Sequence, residues 1–139
     1  MRTILLVTNE EEKSTKKKVE AQFPNCAVHQ LYIRPIKEDR SVGFYYTVHN
    51  VDFNLTGNLK NDKLKNLESM DFDLLLDLSD NSTLLQYFIN RSKAAMKVGK
   101  LNTNCIEQYD LLVDFGQSVD NTISEIFEKI TLLTKNEQV

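Results

Sequence analysis

Two polar segments follow strongly apolar runs of the chain, and they hold the side chains best suited to bind a small ligand. In open parallel sheets, ligands bind at the carboxyl ends of strands, near the point where the strand order reverses. If the two apolar runs are neighbouring strands, the polar segments line one crevice at that edge. The candidate ligand-binding residues are Asn9, Glu10, Ser79, Asp80 and Asn81.

The chemistry of this crevice has two interpretations. A helix that begins near Asn81 directs backbone N–H groups toward an anion, although Asp77 and Asp80 disfavour phosphate unless a divalent cation lies between. The same residue types also cap helices, which needs no ligand at all. Asp77 and Asp114 follow or end strands, where a carboxylate can simply accept hydrogen bonds. The sequence leaves a ligand site and a structural role open for these residues.

The motifs of common catalytic and cofactor sites are missing from the sequence. It contains no GxGxxG, GxxxxGK[ST] or GxSxG pattern, so a nucleotide loop and a nucleophile elbow are unsupported. His29 and His49 have no partner at zinc-ligand spacing. We therefore predict no cofactor, no metal and no catalytic residue. The pattern favours a non-enzymatic protein that acts through binding or self-association, with a weak enzymatic or ligand site in the crevice as the alternative.

The elements that must position the crevice are short continuous apolar runs. Runs without alternation are typical of parallel strands that are covered on both faces by helices. The clearest runs are Ile4–Val7, Leu74–Leu78 and Leu111–Phe115, and weaker strand candidates are Val28–Ile33 and Ala94–Val98, which ends at Gly99.

Helical patterns fill the intervals between these strands. We expect helices over Glu11–Phe23, over about Lys60–Ser69, after Asp80 or Asn81, and over the C-terminal segment that contains Val119–Leu133. The resulting order is β-α-β, a further β segment, then α-β-α-β-β-α. It predicts a single domain, 1–139, with a three-layer α/β/α sandwich around a mostly parallel, doubly wound sheet.

The segment Val42–Leu55 differs from the other strands because its apolar residues alternate with polar ones. The alternation changes phase at His49-Asn50, which predicts an antiparallel edge hairpin with one solvated face. The aromatic stretch Phe44, Tyr45 and Tyr46 lies on this edge, and tyrosines are favoured at interfaces. We predict these three residues as an interface through which the chain can form a homodimer.

The net charge, the length of the first apolar run and the cysteine pattern limit the kinds of partner and the cellular location that the sequence favours. The net charge is -3, which gives no electrostatic reason to expect nucleic acid or an anionic membrane. The first apolar run is too short for a signal peptide or a membrane span. Cys26 and Cys105 lie far apart and form no CxxC pair, which is typical of reduced, buried thiols. These features predict a cytoplasmic protein.

Three family resemblances bear on this interpretation. Phe72–Leu78 resembles the strand that ends in the phosphoacceptor aspartate of response-regulator receivers, but the later strands end in Gly99-Lys100 and Gly116-Gln117 without the required Ser/Thr and Lys. Phe72–Leu78 with Ser92–Gly99 also resembles the acceptor-side half of heptosyltransferase-like glycosyltransferases. Glycosyl transfer there needs a second domain, so this resemblance implies the fold and not the activity.

The third resemblance is to a family of short bacterial proteins of unknown function. It is carried by the segment Asp52-Phe53-Asn54-x-x-Gly57, by Phe72–Leu78 and Ser92–Gly99, and by the strand that begins at Tyr109-Asp110-Leu111. This resemblance implies a cytoplasmic bacterial α/β protein and brings no established activity with it.

Overall fold

A computed structural model of the chain describes residues 2–9, 13–33, 45–48, 52, 59–60, 62–79, 83–100, 108–113 and 123–130. The strands are β1 (Thr3–Val7), β2 (Ala27–Ile33), β3 (Tyr45–Val48), β4 (Leu74–Asp77), β5 (Met96–Lys100) and β6 (Leu111–Val113). The helices are α1 (Lys13–Gln22), α2 (Asp62–Ser69), α3 (Thr83–Arg91) and α4 (123–130). Their order along the chain confirms the predicted sequence of elements.

The six strands form one sheet in the order β3-β2-β1-β4-β5-β6, and every pairing in it is parallel. The chain moves outward from β1 to one edge and then returns to the other side of β1. This is the strand order of doubly wound, dinucleotide-binding sheets, and it reverses between β1 and β4. The predicted parallel α/β sheet is confirmed.

Helices cover both faces of the sheet because successive strand residues point to opposite sides. Ile4 and Leu6 of β1 pack with Val19 of α1 and with Ile123 and Ile126 of α4. On the other face, a second cluster joins strand residues to α2 and α3, and its members include Leu5, Val7, Leu75, Leu64, Leu67, Leu85 and Phe88. The result is the predicted three-layer arrangement.

The prediction of an antiparallel edge is wrong for the described part of the Val42–Leu55 segment. β3 lies at the end of the described sheet, but it runs parallel to β2, with Tyr45 opposite Gln30 and Val48 opposite Ile33. Alternation reports which faces are buried and carries no information on strand direction. Nor is one face solvated, because Thr47 and Val48 point to opposite sides and are both 0% exposed. The predicted turn at 49–50 lies outside the described residues.

Asp73 links the amino ends of β1 and β4 through hydrogen bonds. Its Oδ2 accepts hydrogen bonds from the backbone N–H groups of Arg2 at 2.6 Å and Thr3 at 3.0 Å. Its own N–H donates to the Thr3 carbonyl at 3.0 Å. The two donated N–H groups hold the pKa of Asp73 below its usual value. This link sets the β1–β4 register, on which the carboxyl edge depends.

Candidate functional site

The two polar segments predicted to share a crevice follow neighbouring strands. β1 pairs with β4 from Ile4 opposite Leu74 to Val7 opposite Asp77. Pairing continues one residue further, because the Leu78 N–H donates to the Val7 carbonyl at 2.9 Å. On the other side of β1, the Thr8 N–H donates to Leu31 at 3.0 Å. The chain therefore leaves the sheet after both strands at the point where the strand order reverses.

Of the five predicted ligand-binding residues, two lie among the described residues. Asn9 is half-buried, and its backbone carbonyl accepts a hydrogen bond from Ile33 at 3.1 Å. Ser79 is 2% exposed. Glu10, Asp80 and Asn81 lie outside the described residues. Asn9 and Ser79 thus follow adjacent strands, as predicted, and their proposed contact with a ligand stays a prediction.

Asp77 is the buried carboxylate of this edge, with 3% of its surface exposed. Its Oδ1 accepts hydrogen bonds from the Ser79 N–H at 2.9 Å and from the Ser79 hydroxyl. Its Oδ2 accepts one from the Tyr109 hydroxyl. A buried carboxylate is tolerated only when donors replace its hydration. Both oxygens of Asp77 are engaged, so this arrangement gives no support to the role of a phosphoacceptor or a free base.

Tyr109 reaches Asp77 across β5, over Gly99. A Cβ placed on Gly99 would lie 2.6 Å from two carbons of the Tyr109 ring, so the ring sits directly against the backbone. The Tyr109 oxygen also accepts a hydrogen bond from Gln86 Nε2 of α3 at 3.3 Å. Gln86 Oε1 is buried and has no hydrogen-bond donor in the structure as described. A polarised chain of hydrogen bonds thus runs from α3 through Tyr109 to β4.

A second polar group lies on the opposite face, between α1 and the sheet. Gln30 is 0% exposed and donates from Nε2 to the Thr8 hydroxyl at 3.0 Å. Thr15 of α1 and Thr47 of β3 are also buried on this side. Gln30 Oε1 meets no donor within the described part of the chain. Polar groups therefore flank the carboxyl end of β1 on both faces of the sheet.

The two described residues of the predicted interface lie on β3, and Phe44 is outside the described residues. Tyr45 and Tyr46 are both half-buried. The Lys16 ammonium lies 4.8 Å from the centre of the Tyr45 ring. The Tyr46 ring lies 5.9 Å from that of His29, and burial raises the Tyr46 pKa. Each half-buried ring thus packs partly on its own chain.

His29 lies in the core and not at the candidate site. It is 5% exposed and also contacts the Phe72 ring edge-to-face, with centroids 5.4 Å apart. Burial, with a further contribution from Lys16, lowers the pKa of His29. Across the described ranges, no three His, Cys, Asp or Glu side chains come together as a metal site.

Sequence reasoning missed Tyr109, Gln86 and the role of Gly99. Gly99 was interpreted as the end of a strand, whereas it lies inside β5. A glycine within a strand often marks a close approach by another group, and that was the available signal. Nothing local in the sequence identifies Tyr109 as the approaching group, because it is ten residues further along the chain.

The chain belongs to DUF6913, a family of unknown function, whose match covers residues 1–133. No curated protein and no solved structure matches the chain. Within the described residues, no helix has the length and apolar character needed to cross a membrane. The family brings no activity with it, so an account of function has to start from the geometry above.

Proposed function

We propose that this member of the DUF6913 family is a cytoplasmic bacterial binding protein that takes a small, polar, uncharged ligand at the carboxyl ends of β1 and β4. The observation that carries the proposal is the reversal of strand order between these two strands. Adjacent connections there diverge to opposite sides of the sheet and leave a crevice, which is where doubly wound sheets bind their ligands. Asn9 and Ser79 lie on the two sides of that point.

The charges near this edge disfavour an anionic ligand. The connection from β1 to α1 contains Glu10-Glu11-Glu12 in place of a glycine-rich phosphate loop, and Asp80 follows β4. An anionic ligand would require a divalent cation beside these carboxylates. Hydroxyl and amide groups of a ligand suit the Asn9 side chain without that requirement, and the Ser79 hydroxyl, which already donates to Asp77, can still accept a hydrogen bond.

A binding role without catalysis fits the state of Asp77. General bases and nucleophiles need a free lone pair that faces the substrate. The two Asp77 oxygens instead accept hydrogen bonds from Ser79 and Tyr109. The similarity of Phe72–Leu78 and Ser92–Gly99 to the acceptor half of heptosyltransferase-like enzymes stays a prediction. It implies the fold and argues against group transfer.

The test is a thermal-denaturation panel of uncharged sugars and nucleosides, with sugar phosphates and Mg²⁺ as the charged arm. A ligand at about 100 times its Kd stabilises by about 2.7 kcal/mol, which raises Tm on the order of 10 °C. We expect an uncharged compound to give this shift and Asn9→Ala to reduce it. Asn66→Ala, on an exposed position of α2, is the matched control and should keep the full shift. Stabilisation by the charged arm alone would contradict the proposal.

Self-association through β3 is a second candidate, because β3 is the last strand of the described sheet and carries Tyr45 and Tyr46. A strand edge offers backbone donors and acceptors to a second copy. Light scattering should then show a concentration-dependent dimer that Tyr45→Glu dissociates and Tyr87→Glu, on α3, does not. A monomer at high concentration for the unmodified chain would exclude this candidate.

A further inference from the structure

The Tyr109 side chain fills a slot whose walls have the properties of a ligand site. The floor is the backbone of Gly99, against which the ring lies flat enough to exclude any Cβ. At the far end, the Asp77 carboxylate accepts a hydrogen bond from the Tyr109 hydroxyl. Gln86 Nε2 lies 3.3 Å from the Tyr109 hydroxyl oxygen and donates a hydrogen bond to it. The planar Tyr109 ring, with its hydroxyl at one end, therefore fills a narrow space that has polar groups at the same end.

One feature of this slot is not explained by Tyr109 alone. Gln86 Oε1 is buried and, in the structure as described, receives no hydrogen bond. A buried acceptor without a donor raises the free energy of the folded state. The Tyr109 hydroxyl has a single hydrogen, which it donates to Asp77, so it cannot also donate to Gln86 Oε1. A ring that presents two adjacent donors would satisfy both Asp77 and Gln86.

We propose that the slot between Gly99, Asp77 and Gln86 binds a planar ring with O–H or N–H donors on one edge, and that Tyr109 occupies it as an internal competitor. The inference rests on the proposed function and names the ligand class more closely. A nucleobase-like edge or a phenolic ring has this chemistry, whereas a phosphate is repelled by the Asp77 carboxylate.

The slot opens only when the Tyr109 side chain leaves it. Tyr109 precedes β6 and is half-buried. The next residue anchors the backbone, because the Asp110 N–H donates to the Lys97 carbonyl at 2.7 Å and Asp110 Oδ2 accepts from the Lys97 N–H at 2.8 Å. We expect the slot to open by rotation of the Tyr109 side chain while these two hydrogen bonds hold the backbone in place.

The experiment uses phenol and anisole, which have the same ring but differ in the donor, and follows the Gly99 amide resonance. Gly99 lies against the Tyr109 ring, so its amide resonance is expected to respond to changes in the ring current. In Tyr109→Ala, we expect phenol to bind about tenfold more tightly than anisole, the effect of one hydrogen bond to a charged acceptor. Asp77→Asn in the same background should reduce this preference. Equal binding of the two compounds, or none, would overturn the proposal.

The unmodified chain tests the competition. Phenol should shift the Gly99 amide of the unmodified chain at higher concentrations than in Tyr109→Phe, because the Phe ring lacks the hydrogen bond to Asp77. Tyr109→Phe also keeps the ring shape if Tyr109→Ala fails to fold. A Gly99 amide that phenol leaves unchanged in both proteins would overturn the proposal. That result would leave the proposed function standing, since the latter is measured through Asn9→Ala and the uncharged panel.

Discussion

The Tyr109 hydroxyl donates a hydrogen bond to the carboxylate of Asp77, thirty-two residues away in the sequence. The bond joins the segment before β6 to the last residue of β4, across β5. It places a satisfied, buried carboxylate beside the point where the strand order reverses. The stability of this edge can be measured independently of any ligand.

Gly99→Ala should lower the free energy of unfolding by about 1–3 kcal/mol, the usual cost of overpacking. The new Cβ would lie 2.6 Å from the Tyr109 ring and force it away from Asp77. Urea denaturation measures the loss. In a Tyr109→Ala background the same substitution should cost far less, because the clashing ring is gone. Equal costs in both backgrounds would show that the ring does not lie over Gly99.

Tyr109→Phe should destabilise the protein by about 1–3 kcal/mol, because it removes a donor from a buried carboxylate. Asp77 would keep only the Ser79 donors among those described above. Tyr45→Phe is the matched control, since the described contact of Tyr45 is made by its ring. Urea denaturation of both variants should give a large difference between them. A Tyr109→Phe variant as stable as Tyr45→Phe would argue against the bond to Asp77.

The buried imidazole of His29 should make stability depend on pH. The His29 pKa is lowered from 6.5 in the folded chain, so the unfolded chain binds the proton more readily. The free energy of unfolding should therefore decrease as pH falls below about 6.5, and be fully present above it. Denaturation at pH 7.5, 6.5 and 5.5 measures this. His29→Phe should flatten the dependence; a steep dependence in His29→Phe would contradict the assignment.

Asp73→Ala should cost about 1 kcal/mol, because the Arg2 and Thr3 N–H groups lose a charged acceptor at a partly exposed site. Asp73→Asn should cost less, since its amide oxygen still accepts. The Asp73 pKa is depressed from 3.8, so its contribution is present above that pH and is lost as pH falls further. Denaturation at pH 7 and 3 checks this, with exposed Asp71→Asn as a control that should show little change.

The parallel sheet could be predicted from the sequence because each of its central strands is marked by apolar residues that follow one another in the chain. Ile4–Val7 and Leu74–Leu78 are continuous apolar runs, and a strand buried on both faces requires such a run. The structure places them in β1 and β4, at the centre of the sheet. The sequence left their adjacency as a condition for the crevice, and the structure pairs them.

The direction of β3 and the Tyr109 network could not be predicted, because each depends on distant partners. Tyr45–Val48 has the same alternation in a parallel or an antiparallel strand. The β5 strand was placed two residues early because Gly99 was interpreted as its end, whereas glycine there makes room for Tyr109. The contact exists only once β5 and the segment before β6 are side by side.

We propose above that a small uncharged ligand binds at the carboxyl ends of β1 and β4. The most direct measurement is amide chemical-shift mapping of the chain with the compound that stabilises it most. We expect amide chemical-shift changes that cluster at Val7–Asn9 and Asp77–Ser79. Shifts confined to other parts of the chain, or no shift with any uncharged compound of the panel, would contradict it.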